Sequence, residues 1–485
     1  MNPLFLADLH KTGLIDQYPR GTEQVWVRWT PRHTHREDST GIVWFGLQAF
    51  LLNLVETFNE HFFRRPLTDV FAEYQALMRD TLGVKPRTDH IRELHQMGYL
   101  PLDIYALPEG AFVPYGVPPL VLTNTKPEAF WLPNYIETWL SNELWLASTS
   151  ATTARLYRQV CEYWGREWLL QQGMRPSPAD LEYIDYQCHD FSYRGMGGLA
   201  AAELSGMGHL LFFNGTDTVP AILAARRFYS AAENAGTSIP AVEHSVLCAG
   251  GQNNELDTLK RLITDVYPAG PVSIVGDTWD LWKMLGEYAR ELRETICART
   301  GGPVIFRPDS GDPVKIMCGD PEADDYHFRT GALALLADSL GQKDGVIQNG
   351  RLLYGDAITP QRADAILQQS VRRLRLSPKN SIFGVGSFTY QYNTRDTDGW
   401  AAQTTAVRRR GEVVPVCKAP VTGNGEKTSV AGIPLVFEDG SGNFTVEATE
   451  NPGRLQDCAY RLVFSGAIRR VDTFAQIRDR ARKTL

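Results

Sequence analysis

An α/β fold built around an irregular barrel of parallel strands is what this 485-residue sequence predicts, and two observations carry the prediction. From about residue 180, short apolar runs stop abruptly in Gly, Asp, Ser or Thr and give way to helix-compatible sequence. They read LEYIDYQCHDFSYRG, HLLFFNGTDT, SIPAVEHS, PVSIVGDTWD, PVIFRPDSGDP, RLLYGDAI and SIFGVGSF. Their spacing suits repeated strand–helix units, whose natural closure is a parallel barrel. The second observation is chemical: Asp190, Phe191, Arg194, Asp217, His244, Asp277, Arg307, Asp309, Asp356 and Gly386 all fall at or just past the ends of these runs. In a barrel the loops after the strand C-termini form the active site, so these side chains are expected to converge.

Upstream of the barrel the elements are mixed. GIVWFGLQAFLLNLV, residues 41–55, reads as a buried helix because it contains Gln and Asn and is too short to span a bilayer, and a helical stretch is expected from about Gly41 to Leu82. LPLDIYALPEGAFVPYGVPPLVLTNT is Pro/Gly-punctuated and β-like. PEAFWLPNYIETWLSNELW repeats apolar residues at helical spacing, with a Pro placed to kink it. RRRG at residues 408–411 reads as a solvated hairpin tip, downstream of the barrel.

Composition narrows the function classes. Hydrophobic residues make up 43% and charged residues 22%, ordinary values for a globular chain. With 49 basic against 56 acidic side chains the net charge is -7, which offers no global positive field for a nucleic-acid backbone, so any phosphate must be met locally. Seven cysteines without a CxxC pair read as reduced thiols of a cytoplasmic protein, and the N-terminus lacks a secretory pattern. Neither a nucleic-acid nor a membrane partner is expected.

At the strand ends, arginines beside carboxylates and glycines point to a polyanionic substrate, since a guanidinium fork matches phosphate oxygens. For Arg194 and Arg307 the competing reading is an ion pair with a neighbouring Asp. Gly384 and Gly386 in FGVGS suit a phosphate cradle or merely a tight turn. Asp277, Asp309 and Asp356 suit ribose hydroxyls or a phosphate-bound Mg²⁺, with a helix N-cap as the alternative for Asp277. His244 is either a titrating group or a structural histidine. Metal-dependent hydrolysis lacks its HxH near a first strand, glycoside hydrolysis gives no reason for the arginines, and no run ends in the Lys of a pyridoxal-phosphate barrel.

HDFSYRG, GTDT, PAVEHS, SIVGDTWD, FRPDSGDP, YGDAI and FGVGS, preceded by DLHK, DQYPRGT, FGLQ, LPEGAFVPYG, VLTNT and NYIETWL, resemble in order and spacing the signatures of the nicotinamide phosphoribosyltransferase family, which are type II phosphoribosyltransferases. The resemblance covers nearly the whole chain. It implies a catalytic barrel over about 151–390 and a mixed α+β lobe built from both ends, residues 1–150 and 391–485. It also implies a homodimer with active sites at the interface, and conversion of nicotinamide and phosphoribosyl pyrophosphate to nicotinamide mononucleotide and pyrophosphate. Carried onto this sequence, Phe191 stacks on the nicotinamide ring, Asp217 accepts from its carboxamide, and Ser238 and Ser273 lie close by. Arg194 and Arg307 bind the pyrophosphate; Asp309, Gly355 and Asp356 hold ribose; Gly386, with Ser387 beside it, takes the terminal phosphate. His244 matches a histidine phosphorylated from ATP, so that His244, Asp277, Arg307 and Asp309 form the catalytic set. Arg395, Lys418 and Lys427 reach the phosphates from the other subunit, and Mg²⁺ arrives mainly with the donor.

Three departures from the family pattern matter. A stacking Tyr is replaced by His10 in DLHK, which keeps a flat ring but adds a titrating group. A Gly run after the last barrel strand reads Gly386-Ser387-Phe388, and a Ser and a Lys that clasp the terminal phosphate are Ala401 and Gln403. The last two changes lower the charge and alter the room at the 5′ subsite, so the alternative donor is ADP-ribose pyrophosphate, giving NAD directly. A nicotinate-specific enzyme is disfavoured by Asp217, whose carboxylate repels that of nicotinic acid. A non-catalytic binding protein is disfavoured by the intact ring.

Overall fold

The computed structural model describes residues 1–36, 39–83, 85–418, 431–440 and 442–485. Two compact units emerge: Met1–Thr152 with Ala224–Ala231 and Asn393–Thr484, and Thr153–Leu223 with Ala232–Tyr392.

The first, terminal unit is organised by a six-stranded sheet with the order Glu412–Pro415, Ala401–Arg409, Thr22–Thr30, Leu120–Asn124, Leu102–Ala106, Arg461–Ser465. Every pairing is antiparallel, and Thr22–Thr30 lies between a strand from each end of the chain. Val25, Trp26, Val27 and Trp29 are fully buried, which explains a near-continuous apolar run where a sheet open to water on one face would alternate. The expected hairpin tip is present. Arg409 faces Glu412, and the two loop residues Arg410 and Gly411 have φ of 54° and 84°, the left-handed pair that matches strand twist.

The expected helix over 41–82 is divided. Gly41–Val43 forms a strand with Phe112–Pro114, and the helix begins only at Leu47, after Gly46 at φ 107°. It runs to Phe58, and a second helix, Leu67–Leu82, starts after Pro66. β-branched Ile42 and Val43 favour the strand, and the left-handed Gly46 turns the chain out of it. The segment is buried as expected, with Phe50, Leu51 and Leu54 in the core. Pro133 stands in the first turn of the short helix Leu132–Tyr135, where it initiates rather than kinks.

The second unit is the barrel. Its strands are β1 (Cys188–Asp190), β2 (Gly215–Thr216), β3 (Ala241–Val242), β4 (Val272–Val275), β5 (Val304–Arg307), β6 (Gly350–Tyr354) and β7 (Ser381–Val385). They form one sheet in the order β2-β1-β7-β6-β5-β4-β3, parallel throughout. A parallel bridge between Gly215 and Thr237, with Thr216 N donating to Thr237 O at 2.9 Å, links β2 to the segment entering β3. The strands therefore follow one another around the ring, and all seven predicted runs contribute one.

Two of the seven runs are strand only toward their ends. LEYIDY belongs to the 3₁₀ helix Ala179–Tyr186, and in HLLFF the first two residues end the helix Leu199–Leu210 while Leu211, Phe212 and Phe213 form a buried turn. His209 explains that turn: its Nδ1 lies 2.6 Å from the Tyr390 hydroxyl and its Nε2 2.9 Å from Gly215 O.

Candidate active site

Four strand ends meet in a knot around Asp277. Its Oδ1 lies 3.1 Å from His244 Nε2, and its Oδ2 accepts from Asp309 N at 2.9 Å and Ser310 Oγ at 2.7 Å. A carboxylate only accepts, so the imidazole carries its proton on Nε2. The N-cap alternative for Asp277 fails: Asp280 caps the following helix, accepting from Lys283 N at 3.1 Å. From β6, the Tyr354 hydroxyl sits 2.9 Å from both Ser310 O and Gly311 O, pinning the loop that carries Asp309. Burial, with the carboxylates of Asp356, Asp277, Asp309 and Asp312, raises the Tyr354 pKa well above its ordinary value, which keeps it a donor.

Neither Arg194 nor Arg307 forms an ion pair among the described residues, which removes the competing reading. Arg307, at the end of β5, donates from Nη2 to Val242 O at 3.2 Å, and its Nε is buried without a hydrogen-bond partner. Burial lowers its pKa, opposed by the attraction of Asp309 and Asp217. Arg194 is exposed on the turn Tyr193–Gly195 after β1 and is close enough to lower the Arg307 pKa further. Two cations side by side with donors to spare suit an anion carrying several oxygens.

Phe191 N donates to Val385 O at 3.0 Å, which seats the residue between β1 and β7. Its ring lies against the glycines at 384 and 355: a Cβ on Gly384 would collide with the ring, and one on Gly355 would touch it at 3.5 Å. Gly384 thus makes room for an aromatic, a role neither sequence reading gave it. Asp217 is exposed, anchored by its N–H to Asp190 O at 2.9 Å, and its carboxylate accepts from Ser238 Oγ. Nearby His189 is wholly buried, and desolvation pulls its pKa down to about 4 despite Asp217. Ser273 Oγ is buried with no hydrogen-bond partner. A cavity of about 470 Å³, lined among others by His189, Ser238, Ile305 and Arg351, reaches this corner.

Asp190 departs from the expected ring. It is fully buried and turns back onto its own chain, accepting from Ser192 N at 2.9 Å. After β7, Gly386 opens the four-residue helix Ser387–Tyr390, and a Cβ there would meet nothing within 4 Å, so its backbone is approachable. The Ser387 hydroxyl packs against Gly195, and Phe388 stands half exposed beyond it. Asp309 and Asp356 are exposed. Among the described residues no group of three or more His, Cys, Asp or Glu is poised to hold a metal.

His10, Arg395 and Lys418 are exposed in the terminal unit, and Lys427 lies outside the described residues. Gln403 Oε1 accepts from Arg28 Nε at 3.2 Å and Nη2 at 2.8 Å, so it orients a buried guanidinium. Ser310 and Tyr354 were missed as site residues. Ser310 stands inside FRPDSGDP and Tyr354 directly before Gly355, but their roles depend on partners 33 and 44 residues away.

The profile of the nicotinate phosphoribosyltransferase (NAPRTase) family matches residues 186–450. A nicotinamide phosphoribosyltransferase of Acinetobacter baylyi is 42% identical, with 100% of this chain and 98% of that protein covered. One from Xanthomonas campestris is 30% identical over 99% and 98%. Among solved structures, the nicotinate-nucleotide pyrophosphorylase of Pyrococcus furiosus matches with a TM-score of 0.60 at 14% identity, covering 100% of this chain and 95% of that one. Human nicotinic acid phosphoribosyltransferase matches at 0.54 and 15%, covering 98% and 93%. At those identities the two structures speak for the fold alone.

Proposed function

Since the chain belongs to the nicotinate phosphoribosyltransferase family, we propose that it is a pentosyltransferase joining nicotinamide to phosphoribosyl pyrophosphate, with nicotinamide mononucleotide and pyrophosphate as products in pyridine-nucleotide salvage. The full-length similarity to relatives named for that activity carries the reading. The site chemistry supports it. Asp217, an exposed carboxylate, welcomes an amide N–H and repels the carboxylate of nicotinic acid. Phe191 offers a ring for stacking, Ser238 donates its hydroxyl to Asp217, and Ser273 adds a buried hydroxyl without a partner.

The residues then have little covalent work to do. Arg307 and Arg194 hold the pyrophosphate and take up the charge that grows as it leaves. Asp309, Gly355 and Asp356 position the ribose, and Gly386 with Ser387 receives the 5′ phosphate. The pyridine nitrogen, held in line by Phe191 and Asp217, attacks the anomeric carbon as the bond to pyrophosphate breaks. Positioning and electrostatic stabilisation supply the rate. Mg²⁺ carried by the pyrophosphate would neutralise part of the charge on the leaving group, and Asp309 and Asp356 would be the carboxylates to hold it. His244, fixed by Asp277 with Nδ1 as its other nitrogen, is the group phosphorylated when ATP is used. The reading includes a cytoplasmic homodimer in which Arg395, Lys418 and Lys427 of one copy reach the phosphates bound by the other, with His10 standing where the family stacks a Tyr.

The test is a product assay by mass with Mg²⁺, offering nicotinamide or nicotinate as acceptor and phosphoribosyl pyrophosphate or ADP-ribose pyrophosphate as donor. Nicotinamide mononucleotide from the first acceptor and first donor is expected. NAD from the second donor alone, or product from nicotinate alone, overturns the reading.

A further inference from the structure

Arg395 is the first residue of a four-residue 3₁₀ turn, Arg395–Asp398; its side chain is 55% exposed, and its Nη2 lies 3.5 Å from the exposed carboxylate of Asp396 next to it. An arginine at such a place ordinarily samples many orientations. Here the backbone of the turn is tied at several points. Thr394 and Thr397 close a reciprocal capping box, Thr34 Oγ1 donates to Thr397 O at 3.0 Å, and Arg32 Nε donates to Gly399 O at 2.8 Å. The last residue of the turn, Asp398, points the other way and is wholly buried. Its Oδ1 accepts from Arg36 Nη2 at 2.6 Å and from the Tyr115 hydroxyl at 2.8 Å, and its Oδ2 accepts from Thr149 Oγ1 at 2.6 Å. The following Trp400 stacks on Trp29 at 5.2 Å with 11° between the rings.

A buried ion pair is poor evidence for stability, because taking both charges out of water costs much of what their attraction returns. What a carboxylate with three directional donors does achieve is a single geometry. Asp398 and Arg395 sit three residues apart in one 3₁₀ turn, so fixing the first fixes the backbone from which the second projects. We propose that Asp398, clamped by Arg36, Tyr115 and Thr149, is a positioning residue that pre-organises Arg395 to grip the terminal phosphate of the sugar donor. The inference rests on the reading of Arg395 as a phosphate contact. Pre-organisation lowers the ordering cost of binding, so its loss falls on donor affinity rather than on the bond-making step.

The variants are D398N, which keeps shape but sets an amide against three donors, Y115F, which removes one hydrogen bond and keeps the charge pair, R395A, and the double variant D398N/R395A. D398N is expected to raise the KM for phosphoribosyl pyrophosphate about tenfold while kcat and the KM for nicotinamide stay within about twofold, with Y115F intermediate. R395A is expected to raise the same KM, and the double variant to match R395A alone because both changes act through one side chain. Amide exchange over residues 394–400 is expected to quicken in D398N and Y115F, a readout independent of turnover. Unchanged exchange in both variants, full additivity in the double variant, or equal losses in kcat and both KM values overturns the proposal. If the unaltered protein makes no nicotinamide mononucleotide, the function falls instead, and unchanged exchange still decides against Asp398 as the clamp.

Discussion

Carboxylates are used in opposite ways in the two units. In the terminal unit Glu109 and Asp398 are buried and saturated. Glu109 accepts from the backbone N–H groups of Gly46, Leu47 and Gln48 at the start of the helix Leu47–Phe58 and from the Tyr229 hydroxyl, and Asp398 has the three donors described above. At the barrel mouth Asp217, Asp309 and Asp356 are exposed, and Asp277 alone is fully engaged. A saturated carboxylate holds a shape and has nothing left for a ligand, whereas an exposed one beside arginines without an ion pair among the described residues keeps its field for whatever binds. The difference teaches where to look for chemistry: in the groups left unsatisfied, not in the strongest hydrogen-bond networks.

The largest expected effect follows from that division. On the proposed function Arg307 meets the leaving pyrophosphate, so Arg307→Ala is expected to lower kcat/KM by about 10²–10³ while the melting temperature barely moves. Its counterpart is Glu109→Gln, which leaves an amide facing four donors. That change is expected to destabilise the fold by about 1–3 kcal/mol with kcat/KM nearly unchanged. Steady-state kinetics and denaturant melts on both variants check the pair; an Arg307 variant that loses stability instead of activity breaks the comparison.

Histidine sharpens the contrast, because both units treat it alike. His90 in the terminal unit and His189 in the barrel are buried, and desolvation lowers each to about 4. The unfolded chain, with ordinary histidines near 6.5, therefore binds more protons than the folded one between that value and about 4. Stability from these two groups is full above the unfolded value and is lost as pH falls through the window, by up to about 1.4 kcal/mol per pH unit for each. Urea midpoints across the window are expected to fall with pH, and His90→Gln and His189→Gln should each flatten the slope. A midpoint insensitive to pH there excludes buried neutral histidines.

Much of this arrangement was legible because strand ends carry their own chemistry. Gly, Asp and Ser stop a run and are also residues that bind ligands, so GDTWD, FRPDSGDP, YGDAI and FGVGS mark the ends of β4 to β7 and, with them, the candidate site. Apolar runs are less informative where helix and turn are buried too. HLLFF was read as strand because a buried turn held by His209 needs the same residues as a strand, and GIVWF was read as helix because periodicity over five residues distinguishes neither. Pairings across long stretches of sequence leave no local mark. Arg28 with Gln403, Tyr354 with Ser310 and Asp398 with Arg36 became visible only once the fold brought them together.

The smallest expected effect concerns Ser387, beside Gly386 at the proposed seat of the 5′ phosphate. A side chain at the phosphate seat would obstruct if it pointed into it. Its hydroxyl packs on Gly195 instead, and the open approach is at Gly386, where even an added Cβ would meet nothing. Ser387→Gly removes that packing and adds backbone freedom, costing at most about 1 kcal/mol of stability. The donor KM is expected to change less than about threefold, since the approachable backbone is already there. A much tighter grip in the Ser387→Gly variant would mean that the hydroxyl leaves Gly195 when substrate arrives, and that the exposed side of the comparison includes a group the free structure shows as packed.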